Sequence, residues 1–342
     1  MKALDIVRAW GTILKGERPA LSIEITRECP LKCPGCYAYD AAHLGGTLTL
    51  RELNDQKGQS LVDGVLDVVH RFKPLHVSLV GGDPLVRYRE LEMLVPQLLA
   101  RGIHVRIVTS AFRAWKREWS TLPHLDVVVS IDGLQPEHDL RRAPATYDRI
   151  LKNIAGQIIT IHCTITGQMM KRPGYLNDFL RFWTPRPETK RVWFSLFTPQ
   201  VGDRLAEMLA PQERAQAITD MLQLRKRYPK LEMGEEVIRQ FASPPKTPED
   251  CVFALTTTTL SADLRTEVTP CQFGGNPDCG SCGCIASMGL AAVAAHKWGG
   301  IVPLGMLFRT SLRVGQIMGT GLARSSNGRA RVSQVSELKI KQ

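Results

Sequence analysis

Short runs rich in β-branched residues alternate with helical patterns along the chain, and this alternation restricts the possible fold more than any other feature. Strands are predicted at residues 20–26, 76–80, 104–108, 126–131, 158–166 and 191–196. Helices are predicted at residues 49–71, 88–101, 113–119, 147–157, 175–183 and 211–228. Six strand–helix repeats with right-handed crossovers predict a parallel sheet. We therefore expect an α/β fold, a partial (β/α)6 TIM-like barrel with its chemistry at the carboxyl ends of the strands.

The segments around this repeat divide the chain further. Residues 1–17 carry apolar side chains at helical spacing, which predicts an N-terminal amphipathic helix before a barrel at 18–235. Residues 236–308 predict a small Cys-rich C-terminal extension. Residues 309–342 contain seven Lys and Arg residues against one Glu, which predicts a basic, partly disordered tail.

Composition excludes several classes of protein. The 342 residues are 44% hydrophobic and 23% charged, so the chain can bury a large core. More than half of the net charge of +11 lies in the tail, and with 6% aromatic residues no basic surface interleaved with aromatics is visible, so we expect no nucleic-acid partner. No secretory signal is found, and the longest apolar stretch, 285–295, is shorter than the roughly 20 residues of a membrane span. We expect a cytoplasmic protein without an integral membrane segment.

The nine cysteines fall into two groups and one isolated position. The first group is Cys29, Cys33 and Cys36, directly after the first predicted strand. The second group consists of Cys251, Cys271, Cys279, Cys282 and Cys284. Clustered thiols in a chain without an export signal indicate metal binding rather than disulfides. Three cysteines on a tight loop can hold three corners of a [4Fe–4S] cluster and leave the fourth iron open, with a structural zinc loop as the alternative.

The first cysteine group, with the spacing C-x3-C-x2-C after a strand, resembles the radical S-adenosylmethionine (SAM) superfamily. The resemblance implies that Cys29, Cys33 and Cys36 hold a catalytic [4Fe–4S] cluster whose open iron chelates SAM. It also implies an oxidoreductase-type reaction, in which the reduced cluster cleaves SAM to methionine and a 5′-deoxyadenosyl radical. Such an enzyme needs an external one-electron donor, such as a flavodoxin or a ferredoxin.

Further motifs occur where this family has them. Gly-Gly-Asp-Pro at 81–84 resembles the family's Gly-Gly-Glu-Pro loop, with Asp in place of Glu, and Ser-Ile-Asp-Gly at 130–133 resembles a segment of its peptide-modifying subgroup. The resemblance and the strand ends on the same rim predict these cofactor contacts: Tyr37, Gly81, Gly82, Asp83, Pro84, Ser130, Asp132, Arg142, Thr164 and Leu196. One position departs from the family pattern. An aromatic residue usually precedes the third cysteine, and here that residue is Gly35.

The C-terminal cysteines exceed by one the four thiols that close an auxiliary [4Fe–4S] cluster. The group resembles a SPASM or twitch extension without reproducing either spacing. The run Asn-Pro-Asp-Cys-Gly-Ser-Cys at 276–282 is also similar to the adenosylhopane-forming radical SAM enzyme. A structural zinc site is the alternative, because zinc accepts the same four thiolates. We take Cys284 as the spare thiol.

Three functions follow from these patterns. The first is a radical SAM maturase that modifies a peptide or protein, which the Ser-Ile-Asp-Gly segment and the auxiliary-type cysteines favour. The second is a radical SAM enzyme of lipid, isoprenoid or other small-molecule metabolism, which the adenosylhopane-like run and the apolar stretch at 289–308 favour. The third is a non-catalytic zinc or iron–sulfur binding module.

Overall fold

A seven-stranded parallel sheet forms the centre of the protein. The computed structural model describes residues 3–40, 42–44, 54–298, 302–306 and 308–315. Six strands neighbour one another in chain order, and the seventh pairs with the first. The strands are β1 (Ala20–Glu24), β2 (His76–Val80), β3 (His104–Thr109), β4 (Leu125–Ser130), β5 (Ile159–Ile165), β6 (Thr189–Leu196) and β7 (Thr257–Leu260). This is the open α/β barrel that the sequence predicts, enlarged by one strand.

Helices follow most strands and connect them to the next. They are α1 (Ala3–Leu14), α2 (Gly58–Phe72), α3 (Tyr88–Ala100), α4 (Glu137–Arg142), α5 (Tyr147–Ile154), α6 (Gly167–Met170), α7 (Tyr175–Trp183), α8 (Pro211–Arg227), α9 (Glu235–Gln240), α10 (Val252–Thr256) and α11 (Ile285–Ala295). A two-stranded antiparallel ribbon, β8 (Lys297–Trp298) with β9 (Val302–Pro303), follows α11.

Both faces of the sheet are buried, but they differ in chemistry. Leu21 and Ile23 of β1 belong to the same buried apolar cluster as Leu61 of α2. Ser22 and Glu24 lie on the opposite face of β1, because side chains alternate along a strand, and both are also buried. The helix-covered face therefore provides the apolar core, and the other face lines a polar interior.

The six predicted strands are confirmed with ends within two residues of those expected. The helix predicted at 113–119 is wrong, because this stretch is irregular and then forms a 3-10 helix, Arg117–Thr121. The buried rings of Trp115 and Trp119 anchor this stretch in the core. The helix predicted at 49–71 begins at Gly58, since residues 54–57 are not helical, and residues 49–53 lie outside the described part of the chain.

The two ends of the described chain pack together. Helical residues 308–315 contact α1, where the Trp10 indole N–H donates to Ser311 Oγ at 3.2 Å and the Trp10 ring stacks on Phe308 at 5.0 Å. The boundary predicted between residues 308 and 309 falls inside this contact, and 316–342 lie outside the described residues. In the part of the chain that the structure covers, no helix is long and apolar enough to span a membrane.

Candidate active site

The first cysteine group lies on the loop that follows β1, at the carboxyl edge of the sheet. Its three thiols are partly buried, and the Cys36 backbone N–H donates to the Cys33 carbonyl at 3.3 Å, which curls the loop. Burial first, and then the charges of Asp83, Cys33 and Cys36, raise the pKa of the Cys29 thiol to about 12. The thiols therefore lie close enough to affect one another. Binding to iron as thiolates would remove the cost of ionising them in this buried position.

Two glycines of the Gly-Gly-Asp-Pro loop allow it to pack against the chain that leads into the cysteines. Gly81 has a φ of +128°, in the region that favours glycine. The Gly82 N–H donates to the Thr26 carbonyl at 2.8 Å, and the next N–H, that of Asp83, donates to the Glu28 carbonyl at 3.0 Å. A Cβ atom on Gly82 would lie 2.2 Å from the Glu28 carbonyl oxygen. The two loops thus contact each other through their backbones.

We expect Gly82→Ala to lower the free energy of unfolding by about 1–3 kcal/mol, because the new methyl group would overlap with the backbone of Glu28. Urea unfolding of the two purified proteins measures the difference. Gly289→Ala is the matched control, because a Cβ on this α11 glycine meets nothing within 4 Å and should leave stability unchanged or increase it. Equal stability of Gly82→Ala and the wild type would show that the two loops are not packed as described.

The carboxylate of Asp83 is buried and fixes the loop to the end of β3. Its two oxygens accept hydrogen bonds from Leu85 N, Thr109 Oγ1, Ser110 N and Ser110 Oγ, at 2.6–3.0 Å. Burial raises the pKa of Asp83 above its usual value, although the four hydrogen bonds oppose this. A 3-10 turn begins at Pro84. The side chain of Asp83 is therefore occupied within the protein, which leaves the backbone of the loop to make the predicted cofactor contacts.

A buried ion-pair network joins three of the predicted contact residues. Asp132 Oδ2 accepts from Nε of Arg141 at 3.1 Å and from Nε of Arg142 at 2.7 Å, while Oδ1 accepts from the Thr164 backbone N–H at 3.0 Å. Burial opposes ionisation of Asp132, but the charges of Arg142 and Arg141 hold its pKa below the usual range. Arg141 also pairs with Glu207 at 3.2 Å. The Ser-Ile-Asp-Gly segment is thus fixed to α4 and to the end of β5.

Arg142 connects this network to the first cysteine group. Burial raises the pKa of Cys33 and of Cys36. The charge of Arg142 lowers the pKa of both thiols. Among the described residues, its hydrogen bond to Asp132 uses Nε alone. Ser130 lies at the end of β4, in register with His162 of β5. The cysteine loop, the Gly-Gly-Asp-Pro loop and the Arg142 side chain therefore converge at one edge of the sheet.

Residues 23–160, which contain all three of these features, match the family described as the Radical SAM superfamily. The chain carries a radical SAM domain. This confirms the family that the sequence motifs predict. Over 142 residues the chain is 28% identical to the mycofactocin maturase MftC of Mycobacterium tuberculosis, covering 40% of this chain and 34% of that protein. Over 121 residues it is 27% identical to the PqqA peptide cyclase of Rhizobium meliloti, covering 34% and 30%. The chain thus spans about a third of the length of the curated relatives it matches.

Solved structures share the fold of the radical SAM domain and of the regions around it. The structure described as native anSMEcpe with bound AdoMet matches with a TM-score of 0.55 and 15% identity, over 75% of this chain and 77% of that one. Streptococcus suis SuiB bound to the precursor peptide SuiA matches with a TM-score of 0.50 and 18% identity, over 76% and 62%. These likenesses confirm the partial barrel.

Beyond the matched residues, the loop after β6 contacts the radical SAM domain. A Cβ atom on Gly35 would lie 2.8 Å from Cζ of Phe197, so the ring of Phe197 fills the space where the family pattern leads us to expect an aromatic residue. Leu196, a predicted contact residue, is buried, and its backbone N–H donates to the Gly283 carbonyl at 2.9 Å. Sequence reasoning missed Phe197, because nothing in the local pattern places it beside Gly35.

The second cysteine group lies next to the radical SAM domain. All five thiols line one open pocket. Burial first, and then the charges of neighbouring thiols, raise the pKa of Cys271 to about 12 and that of Cys279 to about 11. In the described parts of the chain, no three His, Cys, Asp or Glu side chains form a group that could hold one metal ion. The five thiols exceed by one the four that close a [4Fe–4S] cluster or bind a zinc ion.

A buried histidine, also missed from the sequence, connects the end of β1 to the C-terminal cysteine segment. His43 Nε2 lies 2.7 Å from Glu24 Oε1, and Nδ1 lies 2.9 Å from the Phe273 carbonyl, between Cys271 and Cys279. Because that carbonyl can only accept, Nδ1 carries a proton. Tyr37 packs edge-on against Phe273 at 5.1 Å and lies 5.7 Å from the ring of His43. The ring of Tyr37 therefore lies between the two cysteine loops.

Proposed function

We propose that this protein is a radical SAM enzyme that reductively cleaves SAM and modifies a peptide or protein substrate. The observation that carries the proposal is the convergence of the three cysteines, the Gly-Gly-Asp-Pro loop and Arg142 at one edge of a radical SAM domain. The relatives with similar sequence include a maturase and a peptide cyclase, which supports a peptide substrate.

The proposed roles follow from the contacts. Cys29, Cys33 and Cys36 would hold a [4Fe–4S] cluster, which when bound supplies the electron that cleaves SAM. Arg142 is held by Asp132 through Nε, so its two terminal nitrogens can donate side by side to the carboxylate of SAM. The other proposed SAM contacts are Tyr37, the backbone of Gly81, Gly82, Asp83 and Pro84, and the residues Ser130, Thr164 and Leu196. The chain's own part is to orient SAM and exclude side reactions.

For the second site we propose an auxiliary [4Fe–4S] cluster ligated by Cys251, Cys271, Cys279 and Cys282. Burial raises the pKa of Cys271 most, and the charges of Cys251, Cys279 and Cys282 also raise it. Burial and the charges of Cys251 and Cys282 likewise raise the pKa of Cys279. Cys284 differs from them in burial, because it is only 6% exposed while the other four thiols are partly exposed. We therefore keep Cys284 as the fifth, non-ligating thiol.

The proposed enzyme has an electron-donating partner and a cytoplasmic location. A flavodoxin or a ferredoxin would deliver electrons to the cluster on Cys29, Cys33 and Cys36 one at a time. A cytoplasmic location fits clusters held by cysteine, since thiols stay reduced there. The proposed domain division keeps the helix at 1–17, the barrel at 18–235, the Cys-rich region at 236–308 and the tail at 309–342, although β7 of the Cys-rich region completes the sheet.

A mass measurement on the substrate tests the peptide assignment. Protein reconstituted without oxygen is mixed with dithionite, SAM and a short precursor peptide encoded beside its gene. We expect a changed peptide mass only when SAM and dithionite are both present, and none when S-adenosylhomocysteine replaces SAM. Formation of 5′-deoxyadenosine with an isoprenoid lipid that is itself modified, while every such peptide stays unmodified, would instead support the small-molecule function.

A further inference from the structure

Arg214, on the first turn of α8, binds the loop that carries the C-terminal cysteines. Its guanidinium donates to three carbonyl oxygens: Nε to Phe241 at 2.8 Å, Nη1 to Ser281 at 3.0 Å and Nη2 to Cys282 at 2.6 Å. Two of these carbonyls belong to the Cys279–Cys284 turn. One side chain of the barrel therefore holds the backbone of the second cysteine group in place.

The charge of Arg214 lies in an unfavourable position unless a negative group is nearby. The side chain is partly buried, and its hydrogen bonds in the described part of the chain go to neutral carbonyls rather than to a carboxylate. It also lies at the N-terminal end of α8, where the helix dipole disfavours a cation. Its Nη2 donates to the backbone carbonyl of Cys282 itself, so the guanidinium lies beside a proposed cluster ligand.

Four thiolates around an oxidised [4Fe–4S] cluster carry a net charge of about −2, and reduction by one electron adds one more negative charge. Asp278 lies on the same turn, but its carboxylate accepts from the Ser281 N–H at 3.3 Å and adds negative charge to the site. A guanidinium beside Cys282 would offset this accumulation. Because opposite charges attract most strongly away from water, the effect is larger for a buried cation than for a surface one.

We propose that Arg214 is a positioning residue that supplies the counter-charge of the auxiliary cluster and raises its reduction potential. This inference rests on the proposed function, in which that site holds an iron–sulfur cluster. The three carbonyl contacts set the position of the charge, and the charge favours the reduced state of the cluster. The potential of the first cluster, on Cys29, Cys33 and Cys36, should not depend on Arg214.

The test is a redox titration of the full-length holoenzyme, followed by electron paramagnetic resonance. The signal of the first cluster is identified by its change on addition of SAM, and the remaining signal reports the auxiliary cluster. Arg214→Gln removes the charge, and Arg214→Lys keeps it. Arg227→Gln removes an exposed charge from the other end of α8, where the side chain contacts Asn177, and is the matched control.

We expect Arg214→Gln to lower the reduction potential of the auxiliary cluster. The variant protein should also lose the iron of this cluster to a chelator about tenfold faster than the wild type. Arg214→Lys should keep the wild-type potential while losing iron faster, since an ammonium cannot make the same three contacts. Arg227→Gln should change neither. An unchanged potential in Arg214→Gln, or equal shifts of the potential in Arg214→Gln and Arg214→Lys, would overturn the role of Arg214 and leave the auxiliary cluster standing. Wild-type protein with no iron at the second site would overturn it together with the auxiliary cluster, while SAM cleavage would still stand.

Discussion

Replacing Cys29, Cys33 and Cys36 together with Ala is expected to abolish 5′-deoxyadenosine formation and to lower bound iron from about eight to about four atoms per chain. These three thiols lie on one loop and affect one another's ionisation, so we assign them to one cluster. The second cysteine group lines its own pocket and should keep its iron. Iron analysis and chromatography of the reaction mixture measure both quantities.

Cys163→Ala is the matched control for this variant. Cys163 is 1% exposed in β5, belongs to the apolar core and lies outside both cysteine groups. Its removal should leave iron content and product formation at wild-type levels. Full iron content in the triple variant would show that the first cysteine group holds no cluster. Product formation by the triple variant would contradict the assigned SAM site.

The second large effect is on stability. We expect Asp132→Ala to lower the free energy of unfolding by about 3–5 kcal/mol, because it leaves buried positive charge unpaired. Asp132 is 1% exposed and accepts hydrogen bonds from Arg141, Arg142 and the Thr164 backbone. Arg141 keeps its partner Glu207, so Arg142 carries most of the loss. Urea unfolding measures the change.

Asp67→Ala is the control, since this carboxylate is exposed on α2 and its removal should change stability by no more than about 0.5 kcal/mol. Asp132→Asn extends the test to cofactor binding. It keeps the size of the side chain but removes the charge that holds Arg142, so we expect weaker SAM binding from a protein that still folds. If Asp132→Ala were as stable as Asp67→Ala, the buried network would not exist as described.

The sequence predicts the sheet well because strand formation here depends on local pattern. Buried parallel strands are short β-branched runs between helical segments, and all six runs of this kind form strands. Helix α7 also has the predicted ends, Tyr175 and Trp183. The pairing of β7 with β1 was not predicted, since it joins residues more than 200 positions apart. Short polar segments such as 113–119 lack a pattern strong enough to decide between helix and irregular chain.

The residues of the site also divide into those that local sequence identifies and those that only the structure identifies. The cysteine loop, Gly-Gly-Asp-Pro and Asp132 belong to contiguous motifs, so sequence alone identifies them. Phe197, His43 and Arg214 act through contacts with distant parts of the chain, and each is a single residue without a local signature. Conversely, sequence gives Asp83 the role of a cofactor contact, and only the structure shows that four protein donors occupy its carboxylate.

Release of 5′-deoxyadenosine tests the central claim most directly. Wild-type protein is reconstituted without oxygen, its iron, sulfide and zinc are counted, and it is incubated with dithionite and SAM. We predict 5′-deoxyadenosine that depends on both reagents, from protein with about eight irons per chain. Protein that contains zinc but no iron, and that forms no 5′-deoxyadenosine, would contradict the claim and favour a non-catalytic metal-binding module.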